Sequence, residues 1–216
     1  MLVFFDLDGT LTDPFEGIAR CLEHALAGMG IAEAPPREAM RAFIGPPLRR
    51  TLAGLLGPRA GDAEVERAIG IFRERFGTVG LFENTPYPGV AAALQALRAE
   101  GRSLAVATAK PRVFAERILA HFDLASSFDA VYGAELDGRF DDKAELLAHA
   151  LAERGVAARD AVMIGDRRDD VVAARKNGVR AIGVLWGYGS REELLEAGSD
   201  ALCASFAELP AVVAGR

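Results

Sequence analysis

The 216-residue chain is 50% hydrophobic with a formal charge of −6, enough apolar content for a sizeable core in one domain or a domain carrying an insert. The acidic balance argues against nucleic acid as a standing partner, because a phosphate backbone calls for a basic surface. No apolar stretch is long enough to suggest a membrane span. The first element, Leu2-Val3-Phe4-Phe5, reads as a buried parallel strand that runs into Asp6-Leu7-Asp8-Gly9-Thr10. The Asp-Gly pair marks its exit at the carboxyl edge of a sheet, where open α/β folds bind ligands. At period 2, Asp6 and Asp8 project to the same side, and two charges so close ask for a divalent cation or a shared proton. One carboxylate can then serve as a nucleophile and the other as a general acid/base, whereas solvated turn acids would leave the same Asp-x-Asp string. A strand this near the N-terminus leaves no room for a signal peptide, and a cytoplasmic location is expected.

Asp13-Pro14-Phe15-Glu16 has the form of a helix start, with Asp13 at the N-cap and Glu16 completing a capping box. Residues 14–83 show only helical spacing: Ile18, Leu22, Ala25, Leu26 and Met29 in one helix, and Val65, Ala68, Ile69, Phe72 and Phe76 in another. The Pro-rich segment from Glu83 to Gly89 breaks the pattern. The rest alternates as a parallel sheet requires, with strands at 103–108, 129–133, 161–165 and 181–185. Helices are expected at 88–100, 111–122, 142–154 and 169–177, followed by short terminal helices. The chain therefore reads as a doubly wound α/β core, residues 1–13 and 84–216, interrupted by an all-helical insert at 14–83. Cys21 and Cys203 lack metal-ligand spacing and are expected as reduced, buried thiols.

Only three of the 25 basic residues are lysines, Lys110, Lys143 and Lys176, which makes their positions informative. Lys110 lies just beyond the strand ending at Thr108, and Lys143 follows Asp141-Asp142 at a helix start. A compact ammonium reaches between a phosphate and a carboxylate where a guanidinium would demand a fork-shaped partner. Thr108 offers a hydroxyl and a backbone N–H, both suited to a phosphate oxygen. The strand Ala161-Val162-Met163-Ile164-Gly165 ends in Asp166-Arg167-Arg168-Asp169-Asp170. Complementing the helix dipole explains Asp169 and Asp170 but does not require Asp166. His24, His121 and His149 share no spacing that would unite them, and ordinary packing or surface roles are expected.

The string FFDLDGT resembles the first motif of the haloacid dehalogenase-like hydrolase superfamily, in particular its phosphoglycolate phosphatase-like branch, and the resemblance extends over nearly the whole chain. It implies an inserted helical cap, a central first strand in the order 5-4-1-2-3, and Mg²⁺-dependent hydrolysis of a small phosphorylated metabolite. By this resemblance Asp6 is the nucleophile and Asp8 the acid/base. Thr108 and Lys143 fill the second and third motifs, and metal binding falls to Asp6, Asp8, Asp166 and Asp170. Asp169 is expected to cap its helix, and Arg167 to add positive charge near the site. Substrate contacts are expected from Thr108, Ala109, Lys110 and Lys143, and in the insert from Gly45 and Arg49. Trp186 is expected to shape the domain edge. The strings Ser127-Phe128-Asp129 to Asp137-Gly138 and Gly183 to Ser190 resemble a 5′-nucleotidase-like subgroup, leaving phosphoglycolate and nucleoside 5′-monophosphates both open as substrates. A dehalogenase would not need Asp8, and a phosphonate hydrolase of this superfamily would need a cap lysine that residues 14–83 lack. A sugar-phosphate mutase and a noncatalytic binding protein remain as alternatives, and the protein is expected as a monomer or homodimer.

Overall fold

Leu2, Val3, Phe4 and Phe5 are buried without interruption and form β1 (Leu2–Phe5), an interior strand of a parallel sheet. Such a run tolerates no polar face because helices cover both sides. The computed structural model describes residues 1–215. After β1 come β2 (Thr12–Asp13), then α1 (Phe15–Gly28), α2 (Arg37–Met40), α3 (Leu48–Leu56) and α4 (Asp62–Phe76). The chain continues through β3 (Thr85–Pro86), α5 (Val90–Ala99), β4 (Ser103–Pro111), α6 (Arg112–His121), β5 (Ala130–Ala134) and α7 (Lys143–Arg154). It closes with β6 (Ala161–Gly165), α8 (Arg168–Lys176), β7 (Arg180–Val184), α9 (Arg191–Ala197), β8 (Ala201–Cys203) and α10 (Leu209–Val213).

Six strands form one sheet in the order β5-β4-β1-β6-β7-β8, with every pairing parallel, and β2 pairs with β3 in a separate two-stranded sheet. Counted along the large sheet this is the expected central-first-strand order with one strand added beyond the fifth. That sixth strand, β8, lies where only terminal helices were expected, because three residues are too few to show a period. Strand β4 also outruns its expected end at Thr108, reaching Pro111 through a register shift against β5. The crossovers put one core layer of Leu146, Leu147, Ala150, Leu151, Val171 and Ala174 against Leu2, Phe4, Ala105 and Met163.

The chain divides into two compact units: Met1–Asp13 together with Pro86 onward, and the helical stretch Pro14–Thr85. Within the helical unit α1 packs on α4, burying Leu22, Ala25 and Leu26 on one side and Val65, Ala68, Ile69 and Phe72 on the other. Gly17 allows this helix to lie against the Gly80 carbonyl, which an added Cβ would approach to 2.0 Å. The expected cap of α1 is not formed. Pro14 precedes its first turn without a side-chain cap, Asp13 accepts a hydrogen bond from the Tyr188 hydroxyl, and Glu16 pairs with Arg20 and Arg37. Cys21 and Cys203 are buried thiols outside any disulfide, and among the described residues no helix is long and apolar enough to cross a membrane.

Glu83 ties the end of the helical unit to its body. Its carboxylate accepts from Arg75 Nη1 at 2.6 Å, Arg75 Nη2 at 3.1 Å and Arg20 Nη1 at 2.6 Å. The hydrogen bond from Arg75 leads the causes that hold Glu83 down to about 2, against a burial effect in the other direction. A carboxylate lowered on folding stabilises the native state above its unfolded value of 4.5, and that contribution fades as pH falls toward about 2. Replacement of Glu83 by Gln is expected to cost about 1.5 kcal/mol at neutral pH, allowing for partial exposure of the cluster. Urea unfolding at pH 7 and pH 3 checks this: the gap between parent and variant should shrink at the lower pH, and a constant gap would refute it.

Candidate active site

The carboxyl edge of the sheet collects the side chains through short loops. Asp6, directly after β1, is 5% exposed and donates its N–H to Ile164 O of β6 at 2.9 Å, which sets the first loop beside the strand that leads into Asp166. Its Oδ1 accepts from Leu7 N at 2.7 Å and its Oδ2 lies 3.0 Å from Lys143 Nζ. Lys143 begins α7, whose N-cap is Asp142 accepting from Ala144 N at 2.7 Å, so the capping pattern and the site role fall on adjacent residues. The same ammonium makes a short contact with Asp170 Oδ1. Asp170 in turn accepts the Arg167 N–H at 3.0 Å, so Asp170, not the expected Asp169, closes the first turn of α8. Gly165 makes room for this: a Cβ there would lie 2.0 Å from Asp170 Cγ.

Asp166 is fully buried. Its Oδ1 accepts from the Thr10 hydroxyl at 3.1 Å and its Oδ2 from Tyr188 N at 2.8 Å. Gly9 passes so close, with φ of 83° and a Cβ position 2.3 Å from Asp166 Oδ2, that no other residue fits. Thr108 is buried within β4, just before its register shift, its Oγ1 accepting from Lys110 N at 3.2 Å, and Ala109 lies between them. Lys110 turns to Asp8, with Nζ 2.7 Å from Oδ2, while Asp8 Oδ1 is buried without a hydrogen-bond partner among the described residues.

Ligand atoms of Asp6, Asp166 and Asp170 all lie within 4.8 Å of one another. The Asp8 carboxylate, also expected among the metal ligands, is not one of these three and lies against Lys110 Nζ. Arg167 likewise does not bring free positive charge to the site: its Nε lies 2.9 Å from Glu193 Oε1. Gly45, with φ of 103°, and Arg49, paired with Glu66, belong to the helical unit. Thr10, Trp186 and Tyr188 are the contacts that sequence reasoning missed. Trp186 does more than shape an edge, since its Nε1 donates to Thr10 O at 3.0 Å. The signal was present as two glycines flanking Tyr188 after a buried strand.

The pattern of haloacid dehalogenase-like hydrolases matches residues 3–184. The chain belongs to that family. Among its relatives, a 5′-nucleotidase of Pseudomonas aeruginosa is 44% identical over 98% of this chain and 94% of its own length. Phosphoglycolate phosphatase 1 of the same species is 33% identical over 90% of this chain and 73% of its own. A tyrosine-protein kinase of Mycobacterium tuberculosis, PtkA, is 40% identical over 87% of this chain, which spans only 63% of that protein. The crystal structure of a predicted phosphatase from Clostridium acetobutylicum superposes with a TM-score of 0.94 at 39% identity, covering 100% of this chain and 98% of the other. This haloacid dehalogenase-like hydrolase is a phosphatase.

Phosphatases of this family generally use a divalent metal, and the residues fit one. Three buried carboxylates against the single Lys143 ammonium leave two uncompensated negative charges, which a hard divalent cation with oxygen preference matches. Burial, then Asp170 and Asp6, push Asp166 up to about 8, and burial pushes Asp170 to about 6 despite Lys143. Burial alone would lower Lys143, but Asp170 and Asp6 outweigh it and hold the ammonium above its ordinary range. Burial also raises Asp8, with Lys110 opposing.

Proposed function

We propose that the protein is a Mg²⁺-dependent phosphomonoesterase that works through an aspartyl phosphate on Asp6. The supporting observation is the way Asp6 is held, one carboxylate oxygen on the Leu7 N–H and the other against Lys143, at the edge where a phosphate ester can meet it. Asp6 attacks phosphorus in line as the bond to the leaving alkoxide breaks. Asp8, whose burial favours the protonated form, gives the alkoxide its proton. In the second half, Asp8 takes a proton from water as that water attacks phosphorus and the bond to Asp6 breaks, releasing inorganic phosphate. Thr108 and Lys143 hold the phosphoryl oxygens, and Lys110 keeps the Asp8 carboxylate in place between turnovers. Asp6, Asp166 and Asp170 would hold Mg²⁺, which would supply positive charge for the phosphoryl group and the clustered carboxylates.

The substrate is a small phosphorylated metabolite. A nucleoside 5′-monophosphate leads because the 44% identical relative bears the name 5′-nucleotidase over nearly the same length, with phosphoglycolate second. Selection among esters falls to the Pro14–Thr85 unit, through Gly45 and Arg49. The deciding experiment measures phosphate release from nucleoside 5′-monophosphates, phosphoglycolate and an aryl phosphate with Mg²⁺ present. Phosphoryl transfer between sugar hydroxyls without phosphate release would replace the hydrolase reading by the mutase. In the same panel Arg49→Ala should lower kcat/KM for the natural ester about tenfold more than for the aryl phosphate, the worth of one positioned charged contact. Equal losses across the panel would remove Arg49 from substrate selection.

A further inference from the structure

The turn between β7 and α9, Leu185-Trp186-Gly187-Tyr188-Gly189-Ser190, supplies none of the groups assigned to the chemistry, yet it grips both loops that do. Trp186 Nε1 donates to Thr10 O at 3.0 Å, Tyr188 N donates to Asp166 Oδ2 at 2.8 Å, and the Tyr188 hydroxyl donates to Asp13 Oδ1. The two glycines around Tyr188 are required by proximity alone. A Cβ on Gly187 would stand 2.3 Å from Asp166 Cβ and 2.5 Å from Gly9 O, and one on Gly189 would stand 2.0 Å from Asp166 O. The turn is therefore laid directly against the backbone and side chain of Asp166.

These contacts close a ring. Asp166 is held on Oδ1 by Thr10 of the first loop and on Oδ2 by Tyr188. Tyr188 reaches back through its phenol to Asp13, the end of β2. The segment before Asp13 is folded onto the same first loop, with Thr12 N donating to Leu7 O at 3.1 Å and Gly9 N to Thr12 O at 2.8 Å. Asp6 and Asp166 sit on the ends of adjacent strands and repel each other, so their loops need a tie to stay converged before a cation arrives.

We propose that Tyr188 is a positioning residue for the metal-binding carboxylates: its N–H orients Asp166, and its phenol, through Asp13, fixes the loop that carries Asp6 relative to Asp166. The consequence for metal affinity rests on the divalent-metal reading of the site; the tie between the two loops does not. A phenol donating to a carboxylate is a charge-assisted hydrogen bond, strong enough to hold a loop end in register. Convergence built before binding lowers the cost of gathering the ligands when the cation enters.

Tyr188→Phe removes one oxygen and keeps both the ring and the N–H to Asp166. Calorimetric titration of the metal-free protein with Mg²⁺ alone should show affinity weakened about tenfold, the low end for loss of a group that orients a ligand. Asp13→Ala should weaken it equally, Asp13→Asn, which keeps an acceptor, should restore it to within about threefold, and the double variant Tyr188→Phe/Asp13→Ala should be no worse than either single change. Amide exchange of metal-free Tyr188→Phe should be faster by about tenfold at Thr10, Leu11 and Thr12 and unchanged along α4. Unaltered Mg²⁺ affinity in Tyr188→Phe, or additive losses in the double variant, would overturn the proposal. Should the parent bind no Mg²⁺, the divalent-metal reading fails by itself, and the exchange rates decide the tie: unchanged rates at residues 10–12 would overturn it.

Discussion

Asp6→Asn should lower phosphate release by at least about 10⁴-fold, some 5.5 kcal/mol of barrier, while leaving the protein folded. An amide of nearly the same volume cannot attack phosphorus, so the loss falls on the covalent step itself. The fold has little to lose. Asp6 adds to the repulsion that raises both Asp166 and Asp170, and removing its charge relaxes them. Against this, the amide cannot present acceptors to both the Leu7 N–H and Lys143 as the carboxylate does, at 2.7 and 3.0 Å. The thermal midpoint is therefore expected to hold or rise slightly at neutral pH. Intact-mass measurement of acid-quenched samples separates chemistry from binding: the parent should carry a phosphoryl group and the variant none. Activity within about tenfold of the parent would exclude Asp6 as the nucleophile.

What the sequence made legible was whatever local chemistry decides. Asp6 and Asp166 each follow an apolar run, and the end of a buried parallel strand is a site that strand composition alone can locate, whereas Thr108 follows such a run but stands inside β4. Lys143 was visible because lysine is rare in this chain and because it stands at a helix start. What remained hidden depends on partners far away in the chain. Asp13 has every local mark of an N-cap, but the Tyr188 hydroxyl takes its carboxylate from 175 residues away. Asp169 and Asp170 are equally good dipole partners by position, and only the close passage of Gly165 and the arrival of Lys143 select Asp170. Asp8 and Lys110 stand about a hundred residues apart in separate motifs, so nothing local shows the 2.7 Å contact that pairs them. Arg167 is drawn off by Glu193 of α9, a partner no spacing rule connects to it.

Lys143→Met should produce the second large effect, and its pH dependence should identify the cause. The side chain is 8% exposed, with its ammonium between Asp6 and Asp170, and it is the only cation touching that group among the described contacts. Methionine fills a similar volume but leaves three buried carboxylates without a counterion, a kind of break that typically costs about 3–5 kcal/mol. The metal-free protein can reduce this cost by binding protons. Burial and their mutual repulsion with Asp6 already raise Asp166 and Asp170 in the fold above the ordinary 3.8, so each proton they lose with rising pH weighs against the native state. Lys143 offsets that weight in the parent, since its charge lowers both values. Without it the thermal midpoint of the metal-free variant should fall more steeply than the parent's between about pH 6 and pH 9, and added Mg²⁺ should recover part of the difference. Turnover should stay about 10³-fold down even at saturating Mg²⁺, because in the proposed mechanism the ammonium also holds the phosphoryl oxygens. A stability loss independent of pH would point to packing rather than charge, and turnover restored to within about tenfold by Mg²⁺ would take Lys143 out of the chemistry.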